Sequence, residues 1–133
     1  MPIIRKYDIQ FLHRAFVGDR SLSDASSLIR DVGSCCSSIL FESDTVVVGS
    51  KDGAIKSWSI ETGMQILGLE MEGPISDLAV SGEVLFASCS SKLVAVKIRT
   101  GEVLWSSQLE GSCDRVAIWD GFIWALCHPL PSS

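Results

Sequence analysis

From Ser38 onward the chain alternates short apolar runs with polar breaks of two or three residues. SILFES, TVVVGS, AIKSWSI and MQILGLE are β-rich, and the breaks between them hold Ser43-Asp44, Lys51-Asp52-Gly53 and Glu61-Thr62-Gly63. Each break contains a residue that tolerates a tight turn. A second group follows as SDLAV, EVLFASC, KLVAVKI and EVLWSSQL, broken at Ser81-Gly82, Ser90-Ser91 and Thr100-Gly101. A third, DRVAIW and FIWALC around Asp120-Gly121, stops after two strands. Trp58 and Ile60 share one face of their run, as Val96 and Ile98 do one group later. A helical reading would need apolar spacing near 3.6 and no such punctuation.

The groups are copies of one another. A shift of 38 residues lays SILFESDTVVVGS on SDLAVSGEVLFAS without a gap and puts Thr62-Gly63 on Thr100-Gly101. Between Ser38 and Gly73, ten of 36 positions match under that shift. Average residue usage would give about two or three by chance. A further shift places Ala79, Ala87 and Cys89 on Ala117, Ala125 and Cys127. A four-stranded unit of this length, repeated in one register, is a β-propeller blade. The expected fold is therefore all-β, a partial β-propeller of four-stranded antiparallel blades with a 38-residue repeat.

Composition narrows the partners. The 133 residues are 47% apolar and 20% charged, which fits one small globular domain. Eleven basic residues against sixteen acidic give a net charge of −5. That balance disfavours nucleic acid and an anionic membrane surface, since both demand a positive field. The start, MPIIRKYDIQF, does not read as a signal peptide, and no run approaches the length of a membrane-spanning helix. Five cysteines (Cys35, Cys36, Cys89, Cys113 and Cys127) are an odd, unevenly spaced set. They read as reduced thiols of an intracellular protein, cytoplasmic or nuclear.

The first unit carries a family likeness. VVVGSKDGAIKSWSIETG resembles the blade core of WD-repeat proteins, where a strand ending in Ser passes through an Asp-Gly turn to a strand carrying Trp. Upstream, LHRAFVGD is similar to the outer strand of a preceding blade, with Gly18-Asp19 where the family usually writes Gly-His. The resemblance implies a structural hydrogen-bond network, of which Asp52, Ser50 and Trp58 are the members that carry over. The second unit has Ser88, but Ser90 and Val96 replace the Asp and Trp. Its segment KLVAVKIRTGEVLW instead resembles a quinoprotein-like blade, whose outer strand ends in Leu-Trp after Thr-Gly.

Residues 1–36 stand outside the repeat register, and 37–133 hold two complete blades and a truncated third. Ile9 to Val17 reads as the outer strand of a preceding blade. Ser21 to Val32 reads as a short helix or an irregular insertion, with Ser21 or Ser23 as N-cap and Ala25, Leu28, Ile29 and Val32 on one face.

Catalytic chemistry is thin. His13 and His128 stand far apart without a patterned partner nearby, and nucleophile-elbow, dinucleotide and P-loop patterns are missing. Cys35-Cys36 could serve a quinone enzyme, because some quinone-dependent propeller dehydrogenases use an adjacent cysteine pair beneath the cofactor. Trp58, Trp105 and Trp124 lie inside strand patterns, which favours packing over a ligand platform. Trp119 stands at a turn beside Asp120, a more exposed setting.

The expected function is thus a non-catalytic scaffold or adaptor module of WD-repeat type, part of a larger propeller and binding protein partners without a cofactor or metal. The WD-repeat likeness places Lys51, Asp52, Ser90, Ser91, Glu72, Glu110 and Arg115 on or near the binding face, with Trp119 as a further candidate contact. An acidic repeat region suits a basic or apolar partner, and exposed blade edges invite self-association. The alternatives are a fragment of a quinoprotein-like enzyme and a truncated product with no independent function.

Overall fold

The computed structural model describes residues 3–6, 26–30 and 36–128. Every strand in the last segment matches a run read from the repeat to within two residues. Strands β3 (Cys36–Glu42), β4 (Thr45–Ser50), β5 (Ala54–Ser59) and β6 (Gln65–Glu70) form one antiparallel meander in that order. The second meander comprises β7 (Ile75–Ser81), β8 (Val84–Cys89), β9 (Lys92–Lys97) and β10 (Val103–Gln108). A two-stranded hairpin, β11 (Ser112–Trp119) with β12 (Phe122–His128), follows.

The N-terminal region departs from expectation. Instead of a helix within 21–32, Ser26–Arg30 is a strand, β2, paired antiparallel with β1 (Ile3–Lys6). Ile9 to Val17, Gly18-Asp19, His13 and Cys35 lie outside the described residues. The helical spacing of the apolar positions loses to a partner strand more than twenty residues upstream. Two consecutive serines, weak helix formers, leave that pairing little to overcome.

The turns show why the repeat is visible. Gly63 and Gly101, 38 residues apart, both hold a left-handed backbone, with φ of 74° and 79°. Their amides donate to Ser59 and Lys97 at 2.8 Å each. The Thr62 and Thr100 hydroxyls accept from the amides of Met64 and Glu102 at 3.2 and 3.3 Å. The repeated Thr-Gly therefore marks one and the same capped turn.

Strand alternation divides β4 between two apolar clusters. Val46 and Val48 pack on one side with Trp58, while Val47 points the other way. Val47 and Ile55 join Ile75, Leu78, Leu85, Ala87, Val94 and Val96 in the largest cluster, which fuses the two meanders face to face. Leu93, Cys113 and Val116 bind the second meander to the hairpin. Gly49 permits the first junction, since a Cβ there would stand 2.5 Å from Ile75 Cγ2. β3, β7 and β11 lie side by side at the centre of the array, and β6 and β10 form its outer edge.

Two expectations about tryptophan change. Trp58 is buried, but Trp105 is 46% and Trp124 55% exposed. β10 is an outer strand and β12 pairs on one side only, so among the described residues both rings stay largely open, Trp124 meeting only the tilted ring of Trp119.

Candidate interaction surface

The meander topology gives the array two ends. At the linker end lie the β4–β5 and β8–β9 turns, the β6–β7 and β10–β11 linkers and the starts of the three central strands. The remaining hairpin turns lie at the opposite end. Each central strand carries a register shift near its start: Cys36/Ser38 in β3, Ile75/Asp77 in β7 and Cys113/Arg115 in β11. A bulge of this kind leaves one residue unpaired and re-aims its neighbours. Here the unpaired residues are Ser37, Ser76 and Asp114, and together they line a shallow cleft of about 490 Å³ with Lys51, Pro74 and Arg115.

Hydrogen bonds tie the bulges together. The Ser37 hydroxyl donates to the Ile75 carbonyl on the next central strand. Asp77, just past the second bulge, accepts from the Ser38 hydroxyl at 3.3 Å and from the Val116 amide at 2.9 Å. One carboxylate thus joins all three central strands. The Asp114 carboxylate contacts the His128 imidazole across the β11–β12 ladder, giving that histidine a partner fourteen residues away.

The residues proposed from sequence separate into groups. Lys51 and Arg115 share the cleft. Asp52 occupies the same turn as Lys51, where its carboxylate accepts from the Ser50 hydroxyl and, at 3.1 Å, from the Ala54 amide. These bonds, the serine's first, hold its carboxyl below the usual carboxylate range. Trp58 does not complete that cluster. It pairs with Val46, four positions along the hairpin from Ala54, and its ring packs on Val46 and Val48.

Ser90 and Ser91 replace the Asp-Gly turn in the second meander but keep its main-chain contact. Leu109 donates to Ser91 at 2.6 Å as Met71 donates to Gly53 at 2.8 Å, both pairs being 38 residues apart. The Ser91 hydroxyl accepts from Gln108 Nε2 at 2.7 Å. Ser90, with φ of 55°, bonds to Pro74 and Cys113 through its backbone and so ties the β6–β7 linker to β11. Glu72 is paired with Lys92 at 2.9 Å, and the lysine's hydrogen bond lowers the glutamate pKa while the glutamate raises that of the lysine. Glu110 is exposed on the β10–β11 linker.

Trp119 belongs elsewhere. It sits at the opposite end, on the β11–β12 turn, 69% exposed and tilted against Trp124 with ring centroids 6.4 Å apart. The two-residue turn at Asp120-Gly121 sets it there, away from the linkers. Cys36 is half-buried beside the Trp58 cluster. Burial pushes the thiols of Cys89 and Cys113 above their ordinary pKa. Among the described residues no group of three or more His, Cys, Asp or Glu side chains is gathered in metal-binding fashion.

No protein-family model and no curated protein matches the chain. Solved structures do. The computationally designed Ika8 protein superposes with a TM-score of 0.70 at 20% identity, over 78% of this chain and 34% of its own. The Cps50 (Swd1) β-propeller domain of Myceliophteria thermophila gives 0.65 at 18% identity, over 72% and 33%. The RRP9 WD40 repeats give 0.62 at 13%, over 68% and 32%. The fold is a partial β-propeller. The two meanders are four-stranded blades, the two-stranded β11–β12 hairpin packs beside the second, and the chain spans about a third of the length of these three neighbours.

Proposed function

We propose that the chain is a non-catalytic protein-interaction module whose contact face is the linker end of its blades. The observation that carries this reading is the alignment of three successive bulges, at Ser37, Ser76 and Asp114, along one cleft. Bulges at matching positions open the same end of successive blades and turn Ser37, Ser76 and Asp114 toward one shared cleft. The face is divided in charge. Lys51 and Arg115 line the cleft, Glu72 is neutralised by Lys92, and Glu110 stands exposed at the rim. A polypeptide that sets an acidic group in the cleft and basic or apolar residues against the rim matches this pattern. Adaptor work of WD-repeat type within a larger ring, inside the cell, is part of the same reading. It is supported by the propeller neighbours and by the odd number of cysteines.

The test uses the immobilised chain and partners captured from a lysate. Double reversal at Lys51 and Arg115 should weaken capture strongly. Reversal at Glu72 and Glu110 should mainly slow association, because rim charges act on encounter. Capture unchanged by the cleft reversal, or lost instead on substituting the Glu83 and Arg99 pair at the opposite end, would refute the assignment.

A further inference from the structure

Four cysteines lie among the described residues, and two of them face each other across one ladder. Cys113 on β11 is the register partner of Cys127 on β12. The Cys113 amide donates to the Ser90 carbonyl at 3.1 Å, directing its N–H toward the second blade. This is the non-hydrogen-bonded kind of antiparallel pair, in which the Cα atoms stand about 4.5 Å apart and the side chains are closest. Disulfides accept Cα separations from about 4.4 to 6.8 Å, so the backbone needs little adjustment to join the two sulfurs. The two thiols are near enough for Cys127 to raise the Cys113 pKa, and the Cys113 Sγ donates to the Arg115 carbonyl at 3.4 Å. In their own ladders Cys36 is in register with Ser50, and Cys89 with Ile75 and Lys92.

We propose that Cys113 and Cys127 are a cross-strand dithiol that a small-molecule disulfide such as oxidised glutathione converts to an intramolecular disulfide. Exposure sets the order of events. Cys113 is 1% exposed, whereas Cys127 is half-buried and therefore reacts first. The Cys127 thiolate attacks one sulfur of oxidised glutathione, forming a mixed disulfide and releasing one glutathione thiolate. The Cys113 thiolate then attacks the Cys127 sulfur, the protein S–S bond forms, and the second glutathione leaves. The two protons lost by the protein thiols end on the two glutathiones, and the protein is oxidised by two electrons. The bond would pin the bulge that carries Asp114 and Arg115, one wall of the cleft. The inference does not depend on what binds there.

The full chain, purified reduced, is equilibrated with oxidised glutathione, quenched under denaturing conditions, alkylated and mapped by mass spectrometry. The expected result is a linked Cys113–Cys127 peptide, two hydrogens lighter than its reduced parts. Alkylation of both residues should fall together, by about tenfold or more. In Cys113→Ser the resolving thiol is missing, and Cys127 should retain a glutathione adduct. Should that variant fail to fold, the wild-type map decides alone. A persistent adduct on Cys127 in the wild type, or a disulfide joining either residue to another cysteine, would overturn the proposal.

Discussion

Asp77→Ala removes the one carboxylate that joins three central strands. Its main loss is the bond from the Val116 amide at 2.9 Å. Val116 is 8% exposed, so water does not readily replace the acceptor. Stranding a buried donor costs about 1–3 kcal/mol. The Ser38 hydroxyl, at 3.3 Å and only half-buried, can turn to solvent and adds little. Strand preference changes by only a few tenths of a kcal/mol. The net expectation is about 2 kcal/mol for Asp77→Ala and about half of that for Asp77→Asn, whose amide oxygen still accepts without a charge. Urea unfolding of the full chain reads this as a lower midpoint at unchanged slope. Amide exchange at Val116 reports the local effect. Glu83→Ala is the control, because its ion pair with Arg99 is exposed and 3.8 Å long and should contribute below about 0.5 kcal/mol. An Asp77→Ala midpoint no lower than the control, with Val116 still protected, would refute the clamp.

Other consequences are as direct. Gly49→Ala should lower stability by about 1–3 kcal/mol, since its Cβ would overpack Ile75 at the blade junction, and a melt unchanged from wild type would contradict that packing. Asp52→Ala should lower the melting temperature more than Ser90→Ala, which breaks no side-chain hydrogen bond among the described residues; equal shifts would argue against the Ser50–Asp52–Ala54 turn as a stabilising unit. Because Asp52 has a folded pKa lowered by its bonds, its contribution is full above the ordinary value of 3.8 and is lost as pH falls through the folded value. An Asp52→Ala deficit that persists undiminished at the acid limit would oppose this. The exposed Trp119, Phe122, Trp124 and Leu126 of the β11–β12 hairpin should bind an apolar dye and promote self-association, and Trp124→Lys with Leu126→Lys should reduce both.

The repeat made the blades legible because each turn depends on its own few residues. Thr62-Gly63 and Thr100-Gly101 announce their hydrogen bonds locally, and the strands between them follow from alternation. What escaped depends on partners a blade away. Asp77 reads as an ordinary acid in SDLAV, and its two partners lie 39 residues to either side. An acid inside an otherwise apolar central strand was the available signal. β2 escaped for the same reason, since Leu28, Ile29 and Val32 fit a helical face and only pairing with β1 decides otherwise. Trp105 and Trp124 sit in true strands, but strand identity does not say whether a neighbour covers the face. Lys51 and Arg115, set on one face by the family likeness, line one cleft, while the bulges that form it have no local sequence mark.

Hydrogen exchange of the chain with and without a captured partner tests the interaction face most directly. Partner binding should slow exchange at 51–53, 72–76, 90–91 and 112–115 and leave 43–44, 61–63, 81–83, 99–101 and 119–121 unchanged. Slowed exchange confined to the second set would contradict this assignment.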